Sequence, residues 1–283
     1  MTSKAIPFAF VLLWSSGFIA AKAGLAHIEP FTFLLVRFGL AALLLGLIAL
    51  LLRVPWPTDR GLLAHLIVAG ALIHASYLGP NFWGASRGFP VGITALIGAT
   101  QPILTALLAG RFLGERVGAL QWTGLVVGFA GVVMVLADRI AFDRSLWVEL
   151  IGVICGTVSL TVGTLYQKRF CARMNMFSGT VVQLATATAL MLALALAFET
   201  LRIDAHPVAY VSIAWLVVLS VAIYMTMHLL FLRGAAARVA SLFYLVPPIT
   251  STVLVMFFDE ALGPLAIVGM AVAIVGVALA TRK

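Results

Sequence analysis

The chain has 283 residues, of which 63% are apolar and 10% are charged, and its mean hydropathy is +1.14. Soluble domains are about 25% charged, so this composition excludes a water-facing globular fold and requires one that spans a bilayer, as helices or as a closed barrel. The formal net charge of +8 comes from basic residues placed singly or in pairs between apolar runs, which does not fit the basic stripe of a nucleic-acid-binding surface.

Ten apolar segments follow along the chain, each close to the ~20 residues that cross a bilayer as a helix. Their apolar runs lack the period-two alternation of barrel strands, so we predict an all-α polytopic membrane protein. The predicted spans are 6–25, 30–52, 62–86, 90–111, 118–137, 146–167, 175–198, 209–232, 237–257 and 263–281. The first also fits a cleavable signal peptide, but it matches a later span in the internal repeat, which favours a retained helix.

Positively charged residues set the predicted orientation. If the N-terminus is inside, one side of the membrane receives twelve Lys and Arg residues and the other receives five, while Arg37 lies within the second span. Loops rich in Lys and Arg stay in the cytoplasm. We therefore predict a multi-pass protein of the inner (plasma) membrane with both termini cytoplasmic.

The sequence repeats itself at about half its length. A shift of 145 residues aligns Pro102 with Pro247, Glu115 with Glu260, Gly124 with Gly269 and Gly131 with Gly276, and a shift of 146 aligns Gly17 with Gly163 and Lys22 with Lys168. Five spans per half is an odd number, so the second copy enters the membrane from the opposite side, as in transporters with inverted repeats. We predict two inverted five-helix repeats, at 1–138 and 146–283. A duplication retained only for folding is the alternative.

Several of these residues form a recognisable pattern. It consists of Trp14-Ser15-Ser16-Gly17-Phe18, Pro102 with Gly114-Glu115, Gly124, Gly128 and Gly131, and, in the second half, Pro247 with Asp259-Glu260, Gly269 and Gly276. With this pattern the chain resembles the ten-helix EamA-type exporters of the drug/metabolite transporter superfamily over essentially its whole length. The resemblance implies export of amino acids, aromatic ones among them, or of other small metabolites.

Polar and aromatic groups in the middle of spans are costly unless they meet a partner or water, and here they form rows. In the third span Gly70, His74, Tyr77 and Asn81 have the spacing of one helical face. We expect such rows to line one central substrate cavity, although each Ser or Thr alone also fits interhelical hydrogen bonding. The expected binding residues are Trp14, Ser16, His74, Tyr77, Asn81, Gln101, Thr161, Tyr224, His228 and Tyr244.

Other residues have expected conformational or structural roles. Prolines interrupt the hydrogen-bond ladder of a helix, and those expected to serve as hinges or gates are Pro80, Pro102, Pro247 and Pro248. Glu115 and Glu260 stand just before the fifth and tenth spans, where a carboxylate stabilises a helix N-terminus. We expect both to be structural caps. The glycines of these two spans predict close helix packing or dimerisation.

The chemistry of the spans restricts the solute. No Asp or Glu lies in the centre of any predicted span, which disfavours export of lipophilic cations and favours a neutral or zwitterionic solute. Arg37, which the repeat aligns with Gln183, is expected to be structural, paired with a helix dipole or with carbonyl groups. Transport could be coupled to protons through His74 or His228, but facilitated diffusion is favoured.

The leading interpretation is a transporter, not an enzyme, that exports amino acids or similar small metabolites by alternating access. A phosphorylated-sugar or nucleotide-sugar exchanger would need two or more buried cations, and only Arg37 is clearly mid-span. An integral-membrane enzyme would need a nucleophile with its base or a metal-ligand set, and the five histidines are scattered. We expect no cofactor, no metal, a small-molecule substrate in a lipid bilayer, and a monomer or homodimer.

Overall fold

The computed structural model describes residues 5–137, 144–233, 236–249 and 263–282. They form helices joined by short connections: α1 (Ala5–Leu25), α2 (Pro30–Leu51), α3 (Arg60–Gly70), α4 (Ser76–Ser86), α5 (Val91–Gly98), α6 (Gln101–Leu113), α7 (Ala119–Leu136), α8 (Trp147–Phe170), α9 (Met176–Phe198), α10 (Pro207–Arg233), α11 (Ala236–Ala240) and α12 (Pro264–Thr281). A π-helical turn, Ala71–Ala75, joins α3 to α4, and 3-10 turns lie at Arg144–Leu146 and Ser241–Leu245.

The described helices are those of a polytopic membrane protein. Seven stretches are long and apolar enough to cross a bilayer: Pro30–Leu51, Arg60–Ser86, Gly92–Leu113, Ala119–Leu136, Trp147–Phe170, Met176–Phe198 and Pro264–Thr281. Two shorter apolar stretches, Phe10–Leu25 and Pro207–Ile223, belong to α1 and α10. Large apolar side chains cover the outer surface, among them Leu43 at 71% exposure, because hydrocarbon rather than water surrounds these helices.

Two of the predicted spans in the first half of the chain are not continuous α-helices. The span predicted at 62–86 contains the π-helical turn Ala71–Ala75, which lies just before Pro80 in α4. The span predicted at 90–111 is divided into α5 and α6, with Pro102 at the first turn of α6. Proline lacks a backbone N–H, so it starts a helix readily but breaks the ladder inside one. Irregular backbone at such depth is tolerated where protein or a cavity surrounds it.

Helices α7 and α12 pack through glycines. A Cβ atom added at Gly124 would lie 2.7 Å from the carbonyl oxygen of Gly276, and one added at Gly276 would lie 2.8 Å from that of Gly124. Further along, Gly131 lies against Gly269 and Ala273. Residue numbers rise along one helix as they fall along the other, so the two helices are antiparallel. Backbones this close can be achieved only with glycine at the contact.

Helices α2 and α9 are also antiparallel, and two carboxylates join them at one end. The carboxylate of Glu199 accepts hydrogen bonds from the backbone N–H groups of Phe31 and Thr32, both at 2.7 Å. In return, the carboxylate of Glu29 accepts from the backbone N–H groups of Thr200 and Arg202, at 3.0 and 2.7 Å. The backbone hydrogen bond from Arg202 lowers the pKa of Glu29. The start of α2 and the residues after α9 therefore hold each other in place.

Two further antiparallel pairs are α1 with α10 and α4 with α8. A Cβ atom at Gly17 of α1 would lie 3.1 Å from the side chain of Leu219 in α10. At Gly163 of α8 it would lie 2.8 Å from the side chain of Ile73, in the π-helical turn. A glycine thus brings α1 close to α10 and α8 close to the π-helical turn that precedes α4.

Candidate functional site

A cavity of about 60 Å³ lies between α1, α2, α4 and α10. Since one water molecule needs about 10–15 Å³ of such space, the cavity has room for a few water molecules. Its walls combine apolar side chains with two aromatic polar residues and one cation. They are formed by Trp14, Gly17, Ala21, Arg37, Ile73, Tyr77, Leu78, Phe82, Leu219 and Ile223.

Trp14 and Tyr77 form the aromatic wall of this cavity. Their ring centroids are 6.3 Å apart with an interplanar angle of 28°, a stacked arrangement. Trp14 also forms a T-shaped pair with Phe243 at 4.8 Å between centroids, which ties α1 to the 3-10 turn that contains Phe243. Both predicted binding residues therefore line the cavity, and packing fixes the orientation of Trp14.

Arg37 projects from α2 into the same wall and is only 6% exposed. Its Nε donates a 2.8 Å hydrogen bond to the hydroxyl oxygen of Ser220 in α10, and that hydroxyl donates onward to the Leu216 carbonyl at 2.7 Å. The guanidinium carbon also lies 5.8 Å from the ring centroid of Phe38 and 6.0 Å from that of Phe82. The sequence signal for this residue was its charge in mid-span, but its place in the cavity wall could not be read from the spacing.

His74 does not line the cavity and is 1% exposed. It lies close to the Gln183 side chain of α9 and 6.0 Å from the Phe38 ring. The expected common face of Gly70, His74 and Tyr77 is therefore wrong. The reason is the π-helical turn, whose extra residue rotates the following helix. Gly70, like His74, faces α9, whereas Tyr77 reaches the cavity.

Three of the remaining predicted residues make hydrogen bonds to the backbone of their own helices. Asn81 donates to the Tyr77 carbonyl and packs against Gly156 of α8. Ser16 donates to the Leu13 carbonyl and Thr161 to the Thr157 carbonyl, as hydroxyls commonly do within helices. The predicted Tyr224 and His228 lie in α10, and their side chains are outside the described part of the structure.

Gln101 and Tyr244, also predicted binding residues, are buried at 1% and 0% exposure. Among the residues that the structure describes, neither the amide of Gln101 nor the hydroxyl of Tyr244 has a hydrogen-bond partner, and the same holds for the hydroxyls of Thr105 and Ser15. The Tyr244 ring packs directly on Gly128 of α7. Buried polar groups normally find a partner, so these four mark places where the described conformation leaves hydrogen bonds unmade.

The expected hinge prolines lie at breaks in the helices. Pro80 follows the π-helical turn inside α4, and Pro102 lies in the first turn of α6. Pro247 and Pro248 are buried in the helical residues 246–249, directly after the 3-10 turn.

Glu115 caps a helix, but not the one expected. Its carboxylate accepts a 2.8 Å hydrogen bond from the backbone N–H of Ala236, at the start of α11, and lies 2.7 Å from Lys168 Nζ at the end of α8. The start of α7 is served instead by Gln121, whose side chain accepts from the Gly118 N–H. Because the partners come from α8 and α11, Glu115 joins three parts of the chain. Glu260 lies outside the described residues.

The opposite end of the molecule carries a second set of polar contacts. Arg87 Nε lies 2.9 Å from a carboxylate oxygen of the buried Glu149, joining the end of α4 to the first turn of α8. The rings of His27 and His206 stack at 4.1 Å. Within the described ranges, no three His, Cys, Asp or Glu residues are grouped so that they could hold a metal ion.

Comparison with known proteins gives a consistent result. The model of the EamA-like transporter family matches residues 5–137 and again residues 147–282. A probable terminal-alkyne amino-acid exporter from Streptantibioticus cattleyicolor is 31% identical over 284 residues, covering 96% of this chain and 91% of the relative. The uncharacterized inner membrane transporter YedA of Escherichia coli K12 is 26% identical over 87% of this chain and 79% of the relative.

Two further similarities are more distant. A probable amino-acid metabolite efflux pump of Escherichia coli K12 is 23% identical over 56% of this chain and 51% of the pump. A protein of known crystal structure matches with a TM-score of 0.81 and 21% identity, covering 98% of this chain and 96% of that one. At this identity the match to the crystal structure shows the fold alone.

Proposed function

The chain belongs to the EamA-like transporter family, and we propose that it exports amino acids, aromatic or other neutral ones, or similar small metabolites by alternating access. The observation that carries the proposal is the cavity between α1, α2, α4 and α10, with Trp14 and Tyr77 on its wall. An apolar cavity with a few polar groups is the common form of a small-molecule site. The printed names of two relatives, an amino-acid exporter and an amino-acid metabolite efflux pump, support the solute class.

Alternating access follows if residues 1–138 and 146–283 are two inverted five-helix repeats with both termini cytoplasmic. The packing supports this arrangement, because shifting each number by 146 turns the contact of Gly17 with Leu219 into the contact of Gly163 with Ile73. The counterparts α2 and α9 pack together, as do α7 and α12, and each pair is antiparallel. Two inverted copies can exchange conformations, so the cavity opens to either side in turn.

An ion pair supports a gate on the predicted cytoplasmic side. Glu115 joins Lys168 and the start of α11, closing the ends of α6, α8 and α11 against each other. The repeat aligns Glu115 with Glu260 and Lys168 with Lys22. The sequence therefore repeats the acidic and the basic residue of this pair at positions that the predicted inversion assigns to the outer side. In the described conformation Lys22 is exposed.

Unmade hydrogen bonds support a second conformation. Gln101 and Thr105 of α6 are buried and have no hydrogen-bond partner in the described part of the chain. The same holds for Tyr244 in the 3-10 turn Ser241–Leu245. Leaving a buried polar group unpaired costs about 1–3 kcal/mol. A conformation in which water or solute reaches these groups would recover that cost, and Pro102 and Pro247 lie where the helices would bend.

We propose facilitated diffusion rather than proton coupling. Six carboxylates are described, and each has partners at a helix end or in a connection: Glu29, Asp59, Glu115, Glu149, Glu199 and Asp204. His74 contacts Phe38 of α2 and Gln183 of α9 and does not line the cavity. A solute that accumulates in the cytoplasm would leave down its own gradient.

Counterflow in proteoliposomes tests the proposal. Vesicles containing the purified protein are loaded with one unlabelled amino acid, and entry of the same radiolabelled amino acid is measured for all twenty, with and without a pH gradient. We expect saturable entry for aromatic or other neutral members, independent of the pH gradient. Entry equal to that of empty vesicles for every amino acid would refute the exporter assignment, and entry only with a pH gradient would refute facilitated diffusion.

A further inference from the structure

Arg37 is a charged side chain buried in the cavity wall near the middle of a span. The helix α2 covers Pro30–Leu51, and the guanidinium is 6% exposed. A cation at this depth is costly unless its surroundings compensate for the lost hydration. Such a residue needs a reason to be there, either in packing or in function.

The internal repeat shows whether packing alone explains the charge of Arg37, because it contains an equivalent position in the other half. A shift of 146 places Arg37 on Gln183 and His74 on Ser220. Arg37 contacts Ser220 across α2 and α10, and Gln183 lies beside His74 across α9 and the π-helical turn. The same two positions therefore meet in each half. In the second pair the residue on the long helix is a neutral amide, so the packing at this position does not require a positive charge.

The two pairs differ in their surroundings. Gln183 donates to the side chain of Gln167 at 3.1 Å and is buried between α9 and α8. Arg37 instead lines the cavity together with Trp14 and Tyr77. The charge is present in the copy that reaches the cavity and absent from the copy that does not. This distribution favours a role toward the contents of the cavity.

We propose that Arg37 binds the carboxylate of the transported solute, while Trp14 and Tyr77 contact its apolar part. This inference rests on the proposed transport function and narrows it to solutes with one free carboxylate and an apolar or aromatic side chain. Ser220 and the rings of Phe38 and Phe82 hold the guanidinium in one orientation. A planar, oriented guanidinium suits the two oxygens of a carboxylate. A phosphate monoester, with nearly two negative charges, would not be neutralised by this single cation.

The test compares an acid with its amide. Binding of L-phenylalanine, the other neutral amino acids and the matching amino-acid amides is measured on the purified protein by ligand-induced thermal shift. We expect the acids to bind about 10- to 100-fold more tightly than their amides, the range of a charge-assisted hydrogen-bonded contact. Equal affinity for acids and amides, or no binding of any acid, would overturn the proposal.

The variant Arg37→Gln copies the residue that the repeat already uses at this place. It should melt near the wild-type temperature and bind the acid and the amide equally. Arg37→Lys keeps a charge without the planar fork, and we expect an intermediate preference. Arg53→Gln, in an exposed connection, removes one charge elsewhere and should leave the preference unchanged. The inference would be overturned if Arg37→Gln still bound the acid more tightly than the amide. If Arg37→Gln does not fold, the inference would be overturned by a full wild-type preference for the acid in Arg37→Lys.

Failure of this inference is distinguishable from failure of the transport proposal. If the wild-type protein shows saturable counterflow and Arg37→Gln shows the same acid preference, transport stands and the role of Arg37 is refuted. If the wild-type protein prefers acids through Arg37 but moves none of them across the bilayer, the carboxylate site stands and transport is refuted.

Discussion

Gly131 of α7 and Gly269 of α12 face each other so closely that a Cβ atom on either would lie 2.7 Å from the carbonyl oxygen of the other. This reciprocity is expected when two copies of one surface meet about a twofold axis. It occurs between the fifth and tenth predicted spans, which the repeat relates. The contact therefore cannot accept a larger side chain at either glycine without moving the two helices apart.

We expect Gly131→Leu to prevent stable folding, because a side chain there must separate two backbones in contact. Overpacking costs typically 1–3 kcal/mol even in cores that can adjust, and backbone contacts adjust least. Detergent-solubilised protein should lose its monodisperse peak in size-exclusion chromatography or melt many degrees lower. Gly98→Ala is the control, because no atom of the described residues lies within 4 Å of a Cβ atom at Gly98. Wild-type melting of Gly131→Leu would contradict this account of the helix pair.

Tyr77 and His74 should now give different results, although both were expected to line the cavity. Tyr77→Ala removes the ring that stacks on Trp14, and we expect the affinity for an aromatic solute to fall about 2- to 13-fold, which corresponds to an aromatic contact of about 0.5–1.5 kcal/mol. Its melting temperature should change little. His74→Ala should lower the melting temperature by emptying a buried position, with little change in KM. Counterflow kinetics and thermal melting, measured on both variants, check these expectations. A large rise in KM for His74→Ala with no change for Tyr77→Ala would instead place His74 in the site.

The helices were largely predictable because their signals are local. The second span, predicted at 30–52, is observed as Pro30–Leu51, with proline in its first turn. The span predicted at 175–198 is observed as Met176–Phe198, and the side chain of Asn175 accepts from Phe177 N–H and Ser178 N–H. Proline and Asn both mark helix starts in a sequence. In both helices the start is therefore marked by a residue type that can be recognised in the sequence alone.

The site was less predictable because its geometry depends on distant contacts. Spacing placed His74 beside Tyr77, but a single π-helical turn separated them. The partner of Glu115 at the start of α11 is 121 residues away, so no neighbouring residue could indicate it. Arg37 was visible as a mid-span charge, whereas its cavity was not, because the walls come from four helices far apart in sequence.

Cys171 should be almost unreactive in the folded protein. Burial raises the pKa of its thiol from 9.0 to about 11, and the thiolate is the reactive form. At pH 8 we therefore expect about 100-fold slower alkylation by N-ethylmaleimide than in the unfolded chain, as two pKa units imply. The raised pKa adds to the stability of the folded state below pH 9. This contribution is lost as the pH rises from 9 toward 11. Peptide mass spectrometry after labelling measures the rate, and labelling as fast as in urea would contradict the burial.

The central claim is that the carrier must open and close at the contact between Glu115 and Lys168 in order to transport. Its most direct test uses Glu115→Cys with Lys168→Cys, in a protein whose two native cysteines are replaced by alanine. Disulfide formation or a short, reducible thiol cross-linker joins the two positions, and the two single-cysteine proteins serve as controls.

We expect counterflow of a neutral amino acid to stop when the cross-link forms, to return after reduction, and to be unaffected in the single-cysteine controls treated in the same way. Full-rate counterflow in protein that is completely cross-linked would contradict alternating access through this contact.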